Sequence, residues 1–130
     1  MTHKTVRILV ADDHSVVRAG LRALLERQAG FRVVAEASTG EEAVKQAEEH
    51  QPDVAVLDIR MPGLSGIEAC RRIVKAVPHC RVIMLTSYAE DELLMAAIQA
   101  GAAGYVLKRI GDNELVQAVE RVSRGEGMLD

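Results

Sequence analysis

Asp53-Val54-Ala55-Val56-Leu57, with Pro52 before it and Asp58 directly after it, is a short apolar run rich in β-branched residues. Such a run fits a strand buried on both faces of a parallel sheet. Similar runs stand at residues 7–11, 31–36, 81–85 and 105–107. The segments between and after them carry apolar residues at helical spacing: Val17, Leu21, Leu24 and Leu25; Ala43, Val44 and Ala47; Ile67, Cys70, Ile73, Val74 and Val77; Leu94, Ala97 and Ile98; Leu115, Val119 and Val122. Five strands alternating with five helices predict an α/β fold of the (βα)5 kind, with helices on both faces of a parallel sheet.

Punctuation between the runs supports that division. Thr39 with Glu42, and Ser65 with Glu68, have the spacing of a capping box and predict the starts of the second and third helices. Asp112 is expected to cap the fifth. Gly30, Gly101 and Gly125 stand where C-terminal caps of the first, fourth and fifth helices are expected, and Pro52 and Pro78 end the second and third helical regions.

At 130 residues, 48% hydrophobic and 27% charged, the sequence has the size and balance of one soluble domain with an aliphatic core. A net charge of -3 argues against non-specific nucleic-acid binding, which needs a basic surface. One Phe, two Tyr and no Trp cannot form a base-stacking platform. Cys70 and Cys80 lack CxxC spacing and read as two reduced thiols, which suits the cytosol. No stretch approaches a membrane span, and residues 1–6 are too short and polar for a signal peptide. A cytoplasmic protein without a membrane partner is expected.

Ligands of doubly wound sheets bind outside the carboxyl ends of the strands. Four predicted strands run into chemistry there: the first into Asp12 and Asp13, the third into Asp58, the fourth into Thr86, the fifth into Lys108. Taken singly, each has an ordinary explanation as a helix cap, a turn residue, a strand-end threonine or a solvated lysine. Together they converge on one rim. Two carboxylates about 4 Å apart repel by about 4 kcal/mol at an effective dielectric of about 20, so a cation must offset them. Oxygen donors without thiols or paired imidazoles favour Mg²⁺ over zinc. A carboxylate beside Mg²⁺ can attack phosphorus, and Asp58 is the best-placed nucleophile, with Lys108 and Thr86 offering donors to phosphoryl oxygens.

Asp12-Asp13, Asp58 followed by Met61-Pro62-Gly63, Thr86-Ser87, and Gly104-Tyr105-Val106-Leu107-Lys108 together resemble the receiver domains of bacterial two-component response regulators, over about residues 7–124. Asp12-Asp13-His14 and the segment 100–105 are most similar to the LuxR/NarL-type subfamily. The resemblance implies a flavodoxin-like sheet of order 2-1-3-4-5 and a non-enzymatic signalling switch that takes phosphate from a sensor histidine kinase onto Asp58. It implies Mg²⁺ held by Asp13, Asp58 and the backbone carbonyl of Arg60, with Asp12 acting through a bound water. Thr86 and Tyr105 would be the switch pair, altering the surface of the fourth helix, fifth strand and fifth helix and leading to homodimerisation or domain release.

In that subfamily a helix-turn-helix DNA-binding domain follows the receiver. The sequence stops at Asp130, so a chain without that output domain, and without specific DNA binding of its own, is expected. Arg109 departs from the proline common after the lysine, so no cis bond is expected there. Arg60 and Tyr88, two positions beyond Asp58 and Thr86, are expected to border the site and control access of water. A haloacid-dehalogenase-like phosphatase would need an acid at position 60, where Arg60 stands, and a flavin mononucleotide carrier would not place Asp12 and Asp13 against a phosphate.

Overall fold

A computed structural model describes residues 5–87, 90–108 and 112–125. Its strands are β1 (Val6–Ala11), β2 (Phe31–Ala37), β3 (Val54–Asp58), β4 (Arg81–Thr86) and β5 (Gly104–Leu107), and its helices α1 (Ser15–Glu26), α2 (Gly40–His50), α3 (Gly66–Ala76), α4 (Asp91–Gln99) and α5 (Asp112–Ser123). The strands form one parallel sheet in the order β2-β1-β3-β4-β5, the flavodoxin-like arrangement that the sequence implied.

Side chains alternate across the strands, with one break in β2 where the register shifts between Val33 and Ala35, and here both faces are covered, so the strands divide their side chains between two cores. Leu9, Ala55, Leu57, Val82 and Met84 pack with Ala43 and Ala47 of α2, Cys70 and Ile73 of α3, and Ala97 of α4. Ile8, Val10, Val54, Val56, Ile83 and Val106 pack on the other face with Leu25 of α1 and Leu115, Val119 and Val122 of α5. All five residues of β3 are therefore buried, which is why its sequence shows no polar alternation. No helix among the described residues is long and apolar enough to cross a membrane. Cys70 and Cys80 are buried free thiols, and burial pushes both pKa values up to about 12, a condition that disfavours thiolate chemistry.

The caps at Thr39 and Ser65 are as expected: their side chains accept the amides of Glu42 at 3.1 Å and Glu68 at 3.2 Å. The return bond of the capping box differs, because the Glu42 carboxylate takes the amide of Ser38 at 2.6 Å, and Glu68 turns to Arg71 and Arg72. Gly30 does not cap α1. The helix closes at Arg27, and Gly30, at φ 89°, turns the chain into β2 while its carbonyl receives the Val6 amide. In α4 the expected stripe shifts: Ala97 is buried, but Ile98 is 41% exposed and Leu93 packs on the core in its place. Gly101 and Gly125 adopt the expected positive φ. Asp112 is the first helical residue of α5.

Candidate functional site

Register determines what meets at the carboxyl rim. Ala11 pairs with Leu57, Asp58 with Leu85, and Thr86 with Leu107. Asp12, one residue past its strand, therefore stands level with Asp58, the last residue of β3, and Lys108 stands one residue beyond the level of Thr86, the last residue of β4. Among the described residues, Asp12, Asp58 and Thr86 are the buried polar ones. Lys108 Nζ donates to Asp12 Oδ2 at 2.8 Å and to Asp58 Oδ2 at 3.1 Å. The Lys108 amide donates to the Thr86 carbonyl at 2.7 Å, which ties the fourth predicted site residue to the third.

A buried charge is costly unless paired, and the shared ammonium affects the two carboxylates differently. Burial alone would raise Asp12, but hydrogen bonds from Lys108 and from the His14 amide outweigh it, so Asp12 lies below its usual pKa. Burial raises Asp58 and wins there: Lys108 opposes it, while the negative charge of Asp12 adds to it. Lys108 is itself raised, because its bonds to Asp12 and Asp58 exceed the cost of burial. The cation demanded by the acidic rim is thus supplied in part by the protein's own lysine.

The remaining bonds separate Asp12 from Asp13. Asp12 Oδ1 accepts the His14 amide at 2.9 Å, and the His14 ring nitrogen Nδ1 lies 3.2 Å from that oxygen and 3.1 Å from Asp13 Oδ1. Both oxygens of fully buried Asp12 are thus committed, whereas Asp13 is exposed. Asp58 Oδ1 accepts the Arg60 amide at 3.3 Å. Asp13, Ile59, Arg60, Met61 and Ser65 border an open cleft of about 600 Å³. Asp12, Asp13 and His14 present ligating atoms within 4.8 Å of one another. A donor set dominated by carboxylate oxygens, with one exposed imidazole, fits a hard divalent cation such as Mg²⁺.

A family model described as the response regulator receiver domain matches residues 8–120. The chain belongs to that family. The receiver is 46% identical over 125 residues to the DNA-binding transcriptional activator DevR/DosR of Mycobacterium tuberculosis, covering 96% of this chain and 58% of the relative. It is 40% identical over 126 residues to the oxygen regulatory protein NreC of Staphylococcus carnosus, again covering 96% and 58%. This chain thus spans a little over half the length of these curated relatives. Among solved structures it superposes on the receiver domain of the putative response regulator NarL of Mycobacterium tuberculosis with a TM-score of 0.89 at 35% identity, covering 95% of this chain and 99% of that one. A LuxR-family response regulator of Aurantimonas gives 0.91 at 41% identity, covering 95% and 89%. The receiver is of the LuxR/NarL type.

Tyr105 of the receiver is half-buried against the core cluster that includes Ala97 of α4, and burial together with the charge of Glu90 raises its hydroxyl pKa. Tyr88 and Arg109 lie outside the described residues. Two residues that the sequence reading did not assign to the site also reach it. One is the His14 ring; the other is Arg18, whose Nη1 donates to the Asp12 carbonyl at 2.7 Å while its Nε pairs with Glu36 at 3.2 Å. Arg18 lies four residues past His14, one turn along α1, a spacing that could have directed attention to it.

Proposed function

We propose that this receiver is a phosphorylation-dependent switch in which Asp58 accepts a phosphoryl group from a sensor histidine kinase in a Mg²⁺-dependent reaction. The observation that carries this reading is the Lys108 ammonium bridging two buried carboxylates at the strand ends, one of them with a raised pKa. A carboxylate oxygen of Asp58 forms the new O–P bond as the N–P bond of the kinase phosphohistidine breaks, and the leaving imidazole takes up a proton. Lys108 and Thr86 bind the phosphoryl oxygens.

Asp13, Asp58 and the Arg60 backbone carbonyl would hold Mg²⁺, and Asp12, fully buried behind the exposed Asp13, would act through a bound water. Bound there, the ion supplies positive charge against the phosphoryl oxygens. The chain catalyses its own phosphorylation and dephosphorylation rather than turning over a separate substrate. By likeness to DevR/DosR, a DNA-binding transcriptional activator, the parent protein regulates transcription; we further infer that it is cytoplasmic, homodimerises when phosphorylated and meets DNA through a domain other than the receiver.

Intact mass spectrometry with acetyl phosphate tests the assignment. One phosphoryl adduct is expected with Mg²⁺, none with chelator and none in Asp58→Asn. An adduct retained by Asp58→Asn, or none in the wild type with Mg²⁺, contradicts it.

A further inference from the structure

The segment between Asp58 and α3 is held at two points, and the second lies outside the acidic cluster. Near Asp58 the Arg60 amide bonds to Asp58 Oδ1, and the Gly66 amide bonds to the Ile59 carbonyl at 2.8 Å. At the far end Glu41, in the first turn of α2, reaches across: its Oε1 accepts the Leu64 amide at 3.1 Å. A Cβ built on Gly63 would stand 2.5 Å and 2.8 Å from the two Glu41 carboxylate oxygens, so the carboxylate lies directly over the Gly63 Cα. Gly63 also has a φ of +72°, which a side chain would resist. Beside it, a Cβ on Gly40 would overlap the Leu64 carbonyl, which brings the start of α2 into backbone contact with the same loop. The Leu64 amide, followed by Glu41's own amide, lowers the Glu41 pKa, consistent with an ionised acceptor.

We infer that Glu41 is a positioning residue for phosphoryl transfer, fixing the loop of residues 59–65 so that the Arg60 carbonyl stands ready for the metal. This rests on the proposed Mg²⁺-dependent chemistry at Asp58. Residues that hold metal ligands in place commonly matter about 10- to 100-fold for affinity without touching the ion. A purely structural Glu41 would act instead as a negative charge at the N-terminus of α2, changing stability and nothing else.

Three variants separate these roles, each assayed as the Mg²⁺ concentration giving half-maximal adduct formation from acetyl phosphate, with thermal unfolding in parallel. Glu41→Ala is expected to raise that concentration about tenfold. Glu41→Asp keeps the helix-terminal charge but is too short to reach the Leu64 amide, and is expected to behave like Glu41→Ala. Glu41→Gln keeps an acceptor oxygen at full reach and is expected to restore most of the wild-type response. Wild-type Mg²⁺ requirements in both the Ala and Asp variants overturn the inference, whatever happens to unfolding. A wild-type chain that gains no adduct at any Mg²⁺ concentration overturns the underlying reading, and the inference with it.

Discussion

The α2–α3 side of the molecule and its α4 side are built to different standards. On the first, Thr39 and Ser65 cap their helices with side-chain bonds, and Glu41 holds the loop between β3 and α3. Gly40 and Gly66 admit backbone approaches that a methyl group would block. On the second, α4 begins at Glu90 without a side-chain cap, buries only Ala97 fully, and leaves Met95 54% and Ile98 41% exposed. Asp58 belongs to the braced side, whereas Thr86 and Tyr105 lead toward the other. A phosphoryl group added to a rigid frame would express itself where resistance is least, which would give the proposed switch its physical basis around α4 and β5.

The largest effect is expected where the brace meets Asp58, the proposed nucleophile. A Cβ on Gly66 would overlap the Asp58 carbonyl and stand 2.9 Å from the Ile59 Cα, so Gly66→Ala must displace backbone. It should cost about 3 kcal/mol in urea unfolding, the upper range for overpacking. Near-wild-type stability would mean that the frame is softer than its geometry.

Within the site the two carboxylates should respond with opposite sign. Asp12 has a folded pKa below 3.8, so its ionised form stabilises the fold above that value, and the contribution is lost as pH falls through the folded pKa. Asp12→Asn should therefore destabilise at pH 7, by about 1–3 kcal/mol for lost charge-assisted bonds. Asp58 has a folded pKa above 3.8, so its ionised form opposes folding above that folded pKa, and the penalty vanishes as pH falls below the unfolded value. Asp58→Asn should raise the unfolding midpoint at pH 7, with no gain at pH 3. Shifts of the same sign in both variants would refute the asymmetry.

The smallest effects concern the caps. Thr39→Ala should cost about 1 kcal/mol, whereas Glu90→Ser, which offers α4 the acceptor it lacks, should stabilise by about 0.5 kcal/mol. Equal losses in both would erase the contrast between the two sides.

How much of this could be read beforehand depended on the range of the interaction. Val54, Val56 and their counterparts carry burial in their own chemistry, and Asp12, Asp58, Thr86 and Lys108 reveal themselves by standing at strand ends, so fold and rim were both accessible from sequence. Glu41 was not, because its role depends on α2 approaching a loop more than twenty residues later, and its sequence neighbourhood describes only a helix start. Ile98 fitted a helical stripe yet lies exposed, because the short α4 buries a single position fully and Leu93 takes the core contact. The bridging of Asp12 and Asp58 by Lys108 needed strand register, which periodicity does not supply.

The most direct test of the account is an amide NMR comparison with and without beryllofluoride and Mg²⁺, the fluoride complex standing in for the phosphoryl group on Asp58. Chemical-shift changes are expected at Asp12–His14 and Asp58–Arg60, continuing through Thr86 to Tyr105 and along α4, with α2 beyond its first turn nearly unchanged. Changes confined to the acidic pocket, or spread equally through α2 and α4, would contradict a switch that runs from the braced side to the loosely held one.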